Sequence, residues 1–352
     1  MMKEPMNLNL EDLKREIGEI KSKFGSDLII LTHHYQRPEI VELGDEVGDS
    51  YILCKKAYNS KARYIVFCGV RFMAESAEIL RRDNQMVFHP DPFSGCPMAD
   101  MAESEDVIRA FSQLDEIWGK GSYIPVVYMN SSAEVKSLVG MRDGVVCTSS
   151  NADRIVSYAL NKGKKVIFLP DEYLGYNTFV KMGLKSSILA YWDYSQEFGG
   201  NQPDDMRNKS YVVWKGYCHV HTNFSVEDIE SARARFKNCK IVVHPECKPE
   251  VVRSADASGS TEFIVNYVKD APSGSTIVIG TELNLVRRLA QKFKDKTIVE
   301  LKRSMCPNMF KITLSKLRNT LVNLPDLNRV ELSSEVKEYS RLALKRMLEI
   351  VG

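Results

Sequence analysis

Short apolar runs that stop on polar turns recur along the whole chain, and most are followed by a helix-forming segment. Residues 27–32 end on His33-His34-Tyr35-Gln36, Tyr64–Cys68 ends on Gly69, and Met86-Val87-Phe88 ends on His89-Pro90-Asp91. Tyr123–Tyr128 leads to Met129-Asn130-Ser131-Ser132, residues 144–147 lead to Thr148-Ser149-Ser150-Asn151, and Lys165–Leu169 stops at Pro170-Asp171. Tyr211–Trp214, Lys240–Val243, residues 276–279 and residues 297–299 continue the series. An apolar run bounded by turn residues and followed by a helix is the repeating unit of a parallel sheet covered on both faces. The fold class expected is therefore α/β. Three consecutive blocks of roughly 90 residues each fit the usual domain size. They are placed at 1–104, 105–200 and 201–310, with two amphipathic helices in 311–352 packing back on the core. The stretch 186–209, with its Gly199-Gly200-Asn201-Gln202-Pro203 loop, reads as irregular.

A chain of 352 residues with 48 Lys and Arg against 46 Asp and Glu carries a formal charge of only +2. That leaves no electrostatic footprint for nucleic acid or an anionic membrane and favours small-molecule chemistry. No apolar run is long enough for a membrane span, and the first residues lack a signal-peptide pattern, so a cytoplasmic location is expected.

Polar residues at the carboxyl ends of strands lie where open α/β sheets bind ligands. If three sheets aim those ends at one centre, His33, Ser50, Cys96, Tyr128, Asn130, Ser149, Cys218, His244, Glu246, Thr261 and Cys306 meet there. Of the eight cysteines, Cys96, Cys218 and Cys306 stand in glycine- or proline-marked turns; Cys68, Cys147 and Cys239 lie in or beside apolar strands and Cys54 in a helix. Three converging thiolates could hold an iron-sulfur cluster with one iron left open; taken singly, each is a small buried residue. Cys247, beside Glu246, is a reserve ligand. His33 and Tyr35 could move protons, His34 is assigned a backbone hydrogen bond, and His244-Pro245-Glu246 offers a base and a carboxylate, or else a surface ion pair. Ser50, Ser149, Ser260 and Thr261 serve equally as helix caps or as donors to a phosphate or carboxylate. The dinucleotide fingerprint, the Walker loop and the His-Glu-x-x-His motif are absent.

Together these segments resemble the quinolinate synthase family, the iron-sulfur enzymes of NAD biosynthesis. The similarity runs from Leu31 to about Leu317 through the turns at 33–40, 48–50, 67–76, 95–100, 128–136, 147–152, 168–175, 214–221, 244–247, 259–261, 280–282 and 305–309. The resemblance implies three Rossmann-like α/β/α sandwich domains related by pseudo-threefold symmetry around a central active site. It implies a 4Fe-4S cluster on Cys96, Cys218 and Cys306 whose free iron acts as a Lewis acid. It further implies condensation of iminoaspartate (iminosuccinate) with dihydroxyacetone phosphate to quinolinate, phosphate and two waters. Substrate contacts would come from His33, Ser50, Tyr128, Asn130, Ser149, His244, Pro245, Glu246 and Thr261. Tyr35 and Glu246 would form the acid-base pair, with His33 and His244 assisting. An aspartate oxidase or dehydrogenase supplying iminoaspartate is the partner implied; neither nucleic acid nor membrane is.

Two departures from the family pattern stand out. The connection from 175 to 214 looks long, with extra residues at 186–209, and Glu300 and Arg303 occupy positions where some members carry additional cysteines, which rules out a redox switch there. A zinc lyase or hydrolase built on Cys218, His219 and His221 is a rival reading, and an iron-sulfur sensor is another.

Overall fold

The structure, a computed structural model, describes residues 9–352. The start of the first block, and with it part of the basis for expecting no signal peptide, lies outside the described residues.

The chain is α/β, with all strand pairing inside its three sheets parallel. The first sheet comprises β1 (Leu28–His33), β2 (Glu46–Gly48), β3 (Tyr64–Cys68) and β4 (Met86–Phe88) in the order β2-β1-β3-β4. The second contains β5 (Tyr123–Tyr128), β6 (Val145–Cys147), β7 (Lys165–Leu169), β8 (Leu189–Trp192) and β9 (Tyr211–Trp214), ordered β6-β5-β7-β9-β8. The third holds β10 (Lys240–Val243), β11 (Ala257–Ser258), β12 (Thr276–Gly280) and β13 (Thr297–Glu300), ordered β11-β10-β12-β13. The central strands are apolar on both faces because helices cover both sides: Val126, Val127, Val166, Ile167, Phe168, Val212 and Val213 are all fully buried.

Two local expectations need correction. The sequence puts β9 at the start of the third block, but it pairs with β7 and β8 in the middle sheet. The stretch 186–209 is not irregular throughout: it contributes the edge strand β8 and the short helix Pro203–Arg207. Its side chains explain the course of the chain into the Cys218 turn. Trp192 is buried, Tyr194 stacks on Trp214 at 5.6 Å with planes 7° apart, and the Lys215 amide donates to the Trp192 carbonyl at 2.9 Å. Gly216 then passes so close to the Pro170 carbonyl that a Cβ would sit 2.4 Å from it, and only glycine fits.

The C-terminal helices attach to different units. Leu314–Val322 places Leu314, Leu317 and Leu321 in one apolar cluster with Leu13 and Ile17 of the opening helix Leu10–Phe24. Ser334–Val351 lies on Ala133–Gly140 of the second unit, close enough that the Tyr339 carbonyl occupies the space a Cβ of Gly140 would need. Between them the chain runs antiparallel beside β4, with a bridge from Phe88 to Arg329, and covers that sheet edge.

His89 follows β4 in this covered corner. Its Nε2 faces the Gly69 carbonyl at 3.1 Å, and burial holds its pKa down to about 4, against an ordinary value near 6.5. Between those values the unfolded chain binds a proton that the folded chain does not. This contribution to stability is therefore complete above the ordinary value and is lost as the pH falls toward 4, about 3 kcal/mol in all. Denaturant titrations of wild type and His89→Gln across this window should show a steeper acid loss in wild type; equal slopes would remove His89 as the cause.

Candidate active site

The carboxyl ends of all three sheets open on one cavity, the kind of place where α/β sheets bind ligands. The first sheet supplies His33 from the end of β1, Ser50 after β2 and Cys96 after β4. The second supplies Tyr128 from the end of β5, Asn130 just beyond it, Ser149 after β6 and Cys218 after β9. The third supplies His244 and Glu246 after β10, Thr261 after β11 and Cys306 after β13. Tyr35 also lines the wall. The strand-end residues expected to converge thus do so.

Two imidazoles are set by the same local device. The Tyr35 amide donates to His33 Nδ1 at 3.1 Å, and the Glu246 amide donates to His244 Nδ1 at 3.3 Å. Each ring therefore accepts at Nδ1 and carries its hydrogen on Nε2. Burial holds His33 well below the ordinary histidine value, with His34 adding to the effect, and brings His244 down to about 3. Both rings are neutral donors near pH 7.

Glu246 is buried, yet both its oxygens are engaged: Tyr128 donates its hydroxyl to Oε1 at 2.5 Å, and His221 Nδ1 lies 2.8 Å from Oε2. Burial opposes ionisation, but His244, His221 and these hydrogen bonds outweigh it and hold the carboxyl below its usual range. Tyr35 shows the opposite balance. Its hydroxyl shares hydrogen bonds with Thr261 at 3.0 Å and Thr281 at 2.8 Å, while burial pushes its pKa well above 10. The cavity therefore pairs an ionised carboxylate, able to accept a proton, with a protonated phenol, able to donate one. Asn130 Oδ1 is buried without a hydrogen-bond partner among the described residues, as expected for an acceptor awaiting a ligand.

The eight thiols divide cleanly. Cys96, Cys218 and Cys306 are half-buried and face the cavity, whereas Cys54, Cys68, Cys147, Cys239 and Cys247 are buried and do not line it. Burial pushes Cys96 up to about 12 and also raises Cys218 and Cys306, so these thiols would give up their protons only to a bound cation. Soft thiolates arriving from three separate turns suit an iron-sulfur cluster, whose irons occupy separate corners. A tighter donor set also exists: the ligand atoms of Cys218, His221 and Glu246 lie within 4.8 Å of one another, close enough for a single ion.

Several single-residue expectations change. Pro245 does not line the cavity; its carbonyl accepts from Asn177 Nδ2 at 2.8 Å, and it borders a separate groove with Lys181 and Gly259. His34 is not held chiefly by backbone: Arg288 donates to its Nδ1 at 2.7 Å, and its Nε2 lies 3.2 Å from Glu262. Cys247 points at the Gly280 carbonyl, 3.9 Å away, and is no reserve ligand. Of the two histidines after Cys218, only His221 lines the cavity. Ser260 caps the helix Thr261–Asp270 by accepting from the Phe263 amide. Sequence reasoning treated His221 only as a zinc ligand and gave Thr281 no role. The signal for His221 was its place one helical turn beyond Cys218, and for Thr281 its place at the end of β12.

The family model described as quinolinate synthetase A protein matches residues 15–349. A quinolinate synthase of Herpetosiphon aurantiacus is 43% identical over 353 aligned residues, covering 98% of this chain and 94% of its own. The chain belongs to the quinolinate synthetase A family. A quinolinate synthase of Corynebacterium glutamicum is 43% identical with 97% of this chain and 88% of its own covered, and one of Bacillus cytotoxicus 43% with 98% and 95%. Membership in the quinolinate synthetase A family agrees with the order of motifs along the sequence. A solved E-1-hydroxy-2-methyl-but-2-enyl-4-diphosphate reductase from Plasmodium falciparum overlaps 91% of this chain and 86% of its own, at TM-score 0.27 and 10% identity, too loosely to bear on the chemistry.

Proposed function

We propose that this chain is a quinolinate synthase that condenses iminoaspartate with dihydroxyacetone phosphate, releasing phosphate and two waters, with a 4Fe-4S cluster on Cys96, Cys218 and Cys306. The observation that carries the reading is the selective gathering of those three thiols, out of eight, on one cavity with His33, Tyr35, His244 and Glu246. When bound, the cluster would supply through its open iron a Lewis acid for a substrate oxygen or nitrogen. Glu246 takes the proton whose removal makes the carbon of iminoaspartate nucleophilic. The Tyr35 phenol returns a proton to a departing hydroxyl. His33 and His244, neutral and donating from Nε2, orient carboxylate or carbonyl oxygens. Asn130, Tyr128, Ser50, Ser149 and Thr261 complete the polar wall, the hydroxyls after β2, β6 and β11 suiting the phosphate. The buried setting keeps water from the unstable imine.

In this reading the three sheets are pseudo-threefold related about the cavity. The first unit is 1–104, the second extends from 105 past β9, the third reaches 310, and 311–352 buttresses the first two. The reaction is a transferase-type condensation. We place it in the cytoplasm, where eight free thiols stay reduced, with iminoaspartate coming from an aspartate oxidase or dehydrogenase. Among the described residues no helix is long and apolar enough to cross a membrane.

The test is anaerobic: chain reconstituted with iron and sulfide is given freshly generated iminoaspartate and dihydroxyacetone phosphate, and quinolinate is measured beside metal and acid-labile sulfide. Product from a cluster-bearing chain is the expected outcome. An intact cluster without product overturns the reaction. Zinc without sulfide would instead assign the Cys218, His221 and Glu246 set to a single ion.

A further inference from the structure

The turn that follows β12 bonds to several residues of the site, yet Thr281, Glu282 and Asn284 do not line the cavity. Thr281, almost fully buried, places its hydroxyl 2.8 Å from the Tyr35 hydroxyl and 3.2 Å from His221 Nε2. Three residues later, Asn284 Nδ2 donates to the Tyr35 carbonyl at 3.0 Å. One turn thus holds Tyr35 at both its backbone and its phenol. The same turn reaches the third thiol: the Leu283 amide donates to the Ser304 carbonyl at 2.8 Å, and the fully buried Glu282 carboxyl receives the Asn284 amide at 2.7 Å and faces the Cys306 amide. Ser304 in turn donates its hydroxyl to the Val220 carbonyl at 2.7 Å, which ties in the segment of Cys218 and His221.

We propose that residues Thr281–Asn284 form a positioning element that fixes the Tyr35 phenol, the His221 ring and the Cys306 turn relative to one another, with the Thr281 hydroxyl as its link between Tyr35 and His221. The hydrogen-bond directions are mutually consistent. With the Nδ1 hydrogen of His221 directed at Glu246, Nε2 accepts from the Thr281 hydroxyl, whose oxygen then accepts from the Tyr35 phenol. The phenol also meets His221 Nε2 directly, at a longer 3.4 Å, and its remaining partner, Thr261, lines the cavity and is available to substrate, whereas Thr281 is not. Thr281 therefore acts through Tyr35 and His221 rather than on the substrate. Small displacements of a proton donor are costly in rate, on the order of 10²-fold for about 1 Å.

The inference rests on the quinolinate synthase reading, and the experiment separates the two. Wild type, Thr281→Val and Thr281→Ser are reconstituted and compared for iron and sulfide content, for the electron paramagnetic resonance signal of the reduced cluster, and for kcat and KM of each substrate. Thr281→Val keeps the side-chain shape and removes the hydroxyl. It should retain the cluster and its signal, leave KM within about twofold and lower kcat by about 10²-fold, while Thr281→Ser restores most of kcat. A second variant, Asn284→Ala, should lower kcat and also alter the cluster signal, because the turn that faces Cys306 loses its anchor on Tyr35. If wild type makes quinolinate and Thr281→Val does so equally fast, the positioning role is wrong and the reaction assignment stands. If wild type itself makes none, the reaction assignment fails. A loss of kcat that serine does not restore would also overturn the role of the hydroxyl.

Discussion

Replacing Cys218 by alanine should leave a folded chain that binds little iron or sulfide, loses its broad visible absorbance and makes no detectable quinolinate. Cys218 is half-buried at the end of the turn after β9, and its side chain faces the cavity instead of filling the core, so the truncation costs little packing. What it removes is one of three thiolates, and the Lewis acid they would hold is worth several kcal/mol of transition-state stabilisation, on the order of 10³-fold or more in rate. Cys247→Ala is the control that gives the prediction its edge. Cys247 is fully buried beside Glu246 but turned toward the Gly280 carbonyl, so its loss should cost some stability and leave the cluster in place. Iron and sulfide analysis of both variants decides the matter: equal loss from both, or from neither, would overturn the assignment of ligands.

Glu246→Gln should retain fold and cluster and lower kcat by roughly 10² to 10⁴-fold. Glutamine keeps the volume and still offers an oxygen to the Tyr128 hydroxyl, but it cannot take up a proton from substrate. Glu262→Gln is the matched comparison. Glu262 pairs with His34 outside the cavity and is about one-third exposed, so its substitution should change kcat by less than tenfold. Single-turnover kinetics with preformed iminoaspartate would separate loss of chemistry from loss of binding, and a Glu246→Gln variant with wild-type kcat would end the claim that this carboxylate is the base.

Both predictions use residues that could be picked out before any fold was known, and the reason is physical. Polar and thiol groups set at the end of an apolar run sit where a parallel sheet ends and its helices begin, and a chain of such units must place them along one edge. His33, Cys96, Tyr128, Cys218, His244 and Glu246 are all of this kind. The helix caps were legible only in part: Ser260 accepts from the Phe263 amide as a cap does, whereas the helix after β2 is capped by Asp49, one residue before the expected Ser50.

Partnership across long separations was not legible. The apolar run at Tyr211–Trp214 declares a buried strand but not its neighbours, and only the pairing with β7 and β8 assigns it to the middle sheet. Pro245 belongs to the same short turn as His244 and Glu246, yet the turn aims it into another groove. His34 differs from His33 only in pointing to the other side, where Arg288 and Glu262 meet it from more than 200 residues away. The role of Thr281 exists only because Tyr35 and His221, 246 and 60 residues distant, are brought against one hydroxyl. Local sequence sets which groups stand at the ends of strands, because capping, periodicity and turn chemistry act over a few residues. Which of those groups share a proton, a thiolate set or a hydrogen bond is decided by how three sheets pack, since such contacts fall off within a few ångströms and no local pattern encodes them.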